Sequence, residues 1–141
     1  MYQRYLLGLK WKAKVLSALG LMYLISLGAN AALSGSYTID ASKSASSTNY
    51  VSFNDAVSDL MTGTRKSGTA NGPGVKAAVV FKVAKGTYEE QVEINAISGA
   101  SSTNTITFES ASGSNKDVVL IDTSNNSASN YLIHLDTLGR V

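Results

Sequence analysis

Two periodicities divide the chain. Phe53, Ala56, Val57, Leu60 and Met61 fall at i, i+3, i+4, i+7 and i+8, the stripe of an amphipathic helix. Ser52 stands where an N-cap belongs, Asp55 suits the positive end of the first turn, and Gly63 supplies the stop. From Ala77 the period changes to two. Val79/Phe81/Val83, Val92/Ile94, Ile106/Phe108 and Tyr131/Ile133/Leu135 alternate with polar or small residues, so each predicted strand has one buried and one wet face. The predicted strands are 77–83, 91–95, 105–109, 118–122 and 131–136. Clusters such as Lys85-Gly86-Thr87, Ser98-Gly99-Ala100-Ser101 and Ser112-Gly113-Ser114-Asn115 separate them as turns.

The strand centres recur about every 13 residues, which suits two architectures. One is an antiparallel sandwich or barrel of hairpins. The other is a solenoid whose coil takes about 26 residues. Strand lengths do not choose between them. An amphipathic helix just before the strands favours the solenoid, because the apolar end of such a stack needs a cover.

The first 31 residues follow a third pattern. Met1–Lys14 is basic, Val15–Leu27 carries no charge, and Ala29-Asn30-Ala31 places small residues at −3 and −1 of a cleavage site. That is the layout of a secretory signal peptide, with an apolar core short of the roughly 20 residues of a spanning helix. The expected division is therefore a signal peptide over 1–31, cleaved after Ala31, and a mature segment over 32–141. Membrane contact is expected only through an uncleaved leader, and the expected location is secreted or on the outer cell surface.

Composition narrows the chemistry. Of 12 Lys and Arg against 10 Asp and Glu, the leader holds Arg4, Lys10, Lys12 and Lys14 and no acid, so the excess of base belongs to it. The remainder is slightly acidic, which argues against a nucleic-acid partner. With no Cys and one His, disulfide frameworks, thiolate metal sites, Cys nucleophiles and His-rich metal sites are excluded. Ser and Thr make up more than a quarter of 32–141, a composition suited to turns, strands and an exported surface.

Residues 34–122 resemble the N-terminal part of secreted right-handed parallel β-helix proteins of the pectin-lyase-like class, in particular surface and secreted proteins of the Bacteroidetes type. The resemblance rests on Ser36-Tyr37-Thr38-Ile39, Tyr50-Val51-Ser52-Phe53-Asn54-Asp55-Ala56-Val57, Val80–Tyr88, Glu90–Asn95 and Thr103–Ala111. It implies an all-β fold: an incomplete right-handed parallel β-helix with one N-terminal amphipathic capping helix. The chain is then expected to be the cap and first coils of a longer protein, truncated at the C-terminus. Pectin methylesterases share the opening that runs into Gly86-Thr87-Tyr88-Glu89-Glu90, but their catalytic carboxylates, arginine and glutamine lie in later coils.

Candidate chemistry weighs against catalysis. Glu89, Glu90 and Glu93 could form a paired-carboxylate centre, yet surface charge is the simpler reading. Asp117, Asp122 and Asp136 lack the dense spacing of a calcium loop. His134 with Asp136 lacks the further groups a general base needs. The loop from Thr62 to Gly74 has no Gly-Lys-Ser/Thr phosphate motif, and Arg65-Lys66 reads as loop solvation. Asn125 and Asn126 read as a stacked amide ladder. The expectation is a structural or interaction module, not an enzyme, without cofactor or metal. Its expected partner is a polysaccharide or cell-surface glycan, contacted by Gln91, Glu93, Asn95, Thr105, Thr107 and Glu109. The competing expectation is the opening of a pectin esterase or polysaccharide lyase with downstream catalytic residues. Oligomeric state is not readable from the pattern.

Overall fold

The computed structural model describes residues 32–123 and 130–136. The leader with its cleavage site and the Asn125-Asn126 pair lie outside the described residues. Among the described residues eight strands and one helix follow in order: β1 (Leu33–Ile39), β2 (Asn49–Tyr50), α1 (Phe53–Thr62), β3 (Val75–Val83), β4 (Gly86–Glu89), β5 (Val92–Ile94), β6 (Ile106–Ser110), β7 (Val118–Ile121) and β8 (Ile133–Leu135).

The helix forms where its stripe predicts. Ser52 is the N-cap, its hydroxyl accepting the Asp55 N–H at 3.0 Å, and Gly63 closes the helix in the left-handed region at φ 67°. Ala56, Val57 and Leu60 are buried as the stripe requires, and α1 packs on β1, β2 and β5. The first peptide N–H groups of α1 find a distant acceptor. Glu90 takes the Phe53 N–H on Oε1 at 3.0 Å and the Asn54 N–H on Oε2 at 2.9 Å. The carboxylate expected in solvent is thus the anchor of the helix start, because four orphan donors and a positive dipole end attract it.

Among the described residues every strand pair is parallel: β1 with β2, β1 with β3, β3 with β6, β4 with β7 and β5 with β8. The hairpin sandwich is therefore ruled out, since two-residue hairpins join only antiparallel strands. Three consecutive strands recur in order, β3-β4-β5 pairing one-to-one with β6-β7-β8. Lys82 and Glu109 are register partners 27 residues apart. The segment β4 departs from expectation: Gly86-Thr87, predicted as a turn, is ladder-paired with Val118-Val119. Tyr88 explains the change, since its buried ring holds the segment while its hydroxyl donates to the Ala84 and Ile39 carbonyls.

The core follows the two-residue alternation. Tyr37, Phe81 and Phe108 occupy one register position on three neighbouring strands. Their rings meet in series, Tyr37 and Phe81 tilted by 30° with centroids 5.7 Å apart and Phe81 and Phe108 stacked at 4.9 Å. Phe53 closes edge-on against Tyr88 at 5.1 Å. Each such pair contributes about 0.5–1.5 kcal/mol beyond area burial. Burial falls from one rung to the next: Val92 is 2 % exposed, whereas its register partner Ile133 is 56 % exposed. Ile133 has inward parity and no rung beneath it among the described residues.

The loop from Thr62 to Gly74 is fastened from below. Arg65, expected in solvent, is buried with its guanidinium 3.9 Å from the centre of the Tyr50 ring. It pairs with Asp55 at 3.1 Å and donates to the Ser46, Asn49 and Thr69 carbonyls. Asp59, also buried, accepts the Tyr50 hydroxyl at 2.7 Å and the Asn71 and Gly72 N–H groups. Gly72 lies so close to the Asp59 backbone that a Cβ there would collide with its carbonyl.

Candidate surface groove

Strand parity sends Lys82 outward from β3, and Thr107 and Glu109 outward from β6. Thr105 stands exposed at the entry to β6, its carbonyl accepting the Val79 N–H at 2.8 Å. Beyond β6 the chain turns through Ser112-Gly113. Here Gly113 has φ 76°, a region that favours glycine. Strand end and turn together enclose a groove of about 550 Å³ lined by Lys82, Glu109, Ser110, Ser112, Gly113 and Asn115. Glu109, Ser110 and Asn115 also border a smaller hollow of about 220 Å³, whose floor is Phe53, Val83, Phe108 and Val118.

The groove is polar, with its charges paired. Lys82 Nζ donates to Glu109 Oε1 across the β3–β6 ladder, both side chains being about half exposed. Next to it Lys85 Nζ lies 3.3 Å from Asp117 Oδ1, and the Ser112 hydroxyl donates to Asp117 Oδ2 at 2.7 Å. The Ser112 hydrogen bond first, and Lys85 second, hold the Asp117 carboxyl below its ordinary range. Ser110 and Ser112 hydroxyls face each other at 3.0 Å. Such a surface presents donors and acceptors in alternation, its two lysines matched by two carboxylates.

The six predicted contact residues do not form one surface. Thr105, Thr107 and Glu109 share the outward side of β6, while Gln91, Glu93 and Asn95 flank or belong to β5 in another sheet. Gln91 bridges strands: its amide donates to Asp122 Oδ2 and to the Tyr131 carbonyl, each at 3.1 Å. Glu93 is exposed opposite His134 in the β5–β8 register. Asn95 buries its Oδ1 without a hydrogen-bond partner. Lys82 was not singled out from sequence, although its outward parity and its spacing to Glu109 carry the signal.

The remaining candidates disperse. Asp117 serves Ser112 and Lys85, and Asp122 serves Gln91. Asp136 N–H continues the β5–β8 ladder to the Ile94 carbonyl. His134 is exposed beside the Tyr131 ring at 5.2 Å. Among the described residues no group of three or more His, Asp or Glu is placed to hold a metal, and no helix is long and apolar enough to cross a membrane. No family model, curated protein or solved structure matches the chain.

Proposed function

We propose that the chain is an exported surface module built on a right-handed parallel β-helix, and that it binds polysaccharide without catalysis of its own. The observation that carries the reading is the ordered recurrence of three strands, β3-β4-β5 onto β6-β7-β8, all in parallel. A chain that winds round a common axis repeats its strands in this way, and α1 lies where a cap over the first coil belongs. The in-register stack of Tyr37, Phe81 and Phe108 supports the same winding.

Such a stack displays a regular outward face, and regular spacing suits a repeating ligand. Thr105, Thr107 and Glu109 with Lys82, Ser112 and Asn115 form the binding face in this reading, offering hydroxyl, amide and paired charged groups to sugar hydroxyls. Export rests on the basic stretch, uncharged run and Ala29-Asn30-Ala31 site of the leader.

Expression of the full chain in a bacterial host tests both parts. Protein outside the cytoplasm beginning at Ala32 is expected, and a product retained inside with its leader intact would refute export. The exported chain should adhere to immobilised uncharged polysaccharides, and Thr107→Ala with Glu109→Ala should weaken retention about tenfold, the worth of one or two lost hydrogen bonds. Equal retention of variant and parent, or no retention on any polysaccharide, would refute the binding face.

A further inference from the structure

The four-stranded sheet runs in the order β2-β1-β3-β6, which puts β2 at its first edge. Thr38 N–H donates to the Thr48 carbonyl and Asp40 N–H to the Tyr50 carbonyl, so the peptide groups of Thr48 and Tyr50 face β1. Peptide groups alternate in direction along a strand, and those of Asn49 therefore face away from the sheet. On an ordinary edge such groups are a template for a further strand.

Here they are taken. Ser46 Oγ accepts the Asn49 N–H at 3.1 Å, and the Asn49 carbonyl accepts the Ser46 N–H at 3.1 Å and Arg65 Nη2 at 2.7 Å. The same guanidinium reaches the Ser46 carbonyl through Nη1 at 2.6 Å. One planar group thus donates to two carbonyls of the edge segment, as the N–H groups of a neighbouring strand would. Asn71 continues the row, its Nδ2 donating to the Ser47 carbonyl at 2.8 Å. Arg65 is fixed in this position from its other sides. Asp55 Oδ2 accepts from Nε at 3.3 Å and from Nη2 at 3.1 Å, the Thr69 carbonyl accepts from Nη1 at 2.8 Å, and the Tyr50 ring lies 3.9 Å from the guanidinium carbon.

We propose that Arg65 is the terminator of this sheet: its guanidinium occupies the place of a further strand beside β2 and so keeps a second copy of this chain from pairing with that edge. The role differs from that of α1. The helix buries Ala56, Val57 and Leu60 and so covers apolar side chains, whereas Arg65 covers carbonyls of the backbone edge. A strand of another copy would have to displace the guanidinium from Asp55, leaving that buried carboxylate without its cation. Edges guarded by an inward-held charge resist edge-to-edge association for this reason.

The test compares full-length variants with the parent by light scattering at about 100 µM, a concentration at which open strand edges associate. Arg65→Met combined with Asp55→Asn opens the edge without stranding a buried charge, and keeps an acceptor for the Lys66 N–H. Its weight-average mass should rise at least about twofold above the parent's. Leu60→Ala weakens the core but leaves the Ser46–Asn49 contacts in place, and should keep the parent's mass. The chain has no cysteine, so single cysteines locate the contact. On oxidation, Thr48→Cys beside the edge should crosslink in the Arg65→Met/Asp55→Asn background and not in the parent, whereas Thr87→Cys, exposed on β4, should crosslink in neither. Arg65→Lys keeps a cation beside Asp55 but cannot bridge both carbonyls, and should raise Thr48→Cys crosslinking severalfold with the circular dichroism of the parent. The proposal is overturned by Arg65→Lys chains that crosslink no more than the parent, by Leu60→Ala chains that associate as strongly as the double variant, or by Thr87→Cys crosslinking as readily as Thr48→Cys.

Discussion

Replacing Arg65 with Met tests whether the Thr62–Gly74 loop is held by a buried ion. Arg65 and Asp55 side chains are 1 % and 2 % exposed, so solvent screens neither. Arg65→Met leaves the Asp55 carboxylate buried without its cation, a loss of about 3–5 kcal/mol. It also leaves the Ser46, Asn49 and Thr69 carbonyls without this donor and removes the cation from the Tyr50 face. Against a total stability of about 5–15 kcal/mol for a domain, that is a large share. In urea, with a slope of about 1.5 kcal/mol per molar, the midpoint should fall by about 2–3 M. Asp55→Asn in the Met background removes the stranded charge while keeping an acceptor for the Lys66 N–H, so the double variant should recover about 2 kcal/mol. Arg65→Lys keeps the charge but cannot fork to Asp55 and three carbonyls together, and should recover only part. Midpoints of Arg65→Met and the parent within about 0.5 M, with equal slopes, would refute the argument and return Arg65 to solvent.

Three further outcomes follow from the same geometry. Glu90→Ala should cost about 1–2 kcal/mol through the unsatisfied Phe53 and Asn54 N–H groups, read as a lower denaturation midpoint, whereas Glu89→Ala on the exposed side should stay within about 0.5 kcal/mol. The Asp117 carboxyl should titrate below the ordinary aspartate range by carbon-detected NMR, and Ser112→Ala should move its midpoint up. Because the folded value is depressed, its contribution is present above the unfolded value of about 3.9 and is lost as pH falls through the folded midpoint. Tyr50 should resist ionisation well beyond the ordinary phenol range of about 10, since burial first and the Asp59 carboxylate second oppose the phenolate. Its raised folded value makes this contribution complete below about pH 10 and lost at higher pH, and ultraviolet difference spectra in which Tyr50 ionises at the ordinary phenol value of about 10 would contradict the buried network.

Local chemistry made the helix legible: a 3.6-residue stripe, a serine cap and a left-handed glycine act within a few positions, and all three stand where the pattern put them. The two-residue alternation likewise marked β3, β6 and the inward Phe81 and Phe108, because strand parity is a property of neighbours in sequence. Strand direction was another matter. Parallel and antiparallel ladders use the same alternating side chains, so only the contacts between β3-β4-β5 and β6-β7-β8 decided it. The charged residues misread from sequence fall in the same class. Arg65 and Glu90 carry nothing in their own neighbourhoods that separates a solvated charge from a buried one. Their roles arise from partners such as Asn49, Asp55 and Phe53, 10–37 positions away, which the folded chain alone brings within hydrogen-bond reach. Glu109 was outward by parity, but the groove it shares with Lys82 exists only because a second strand lies 27 residues on in register. Local pattern fixes which way a side chain points, and tertiary structure fixes what it meets, since the meeting partner is set by chain closure over distances that no short-range preference encodes.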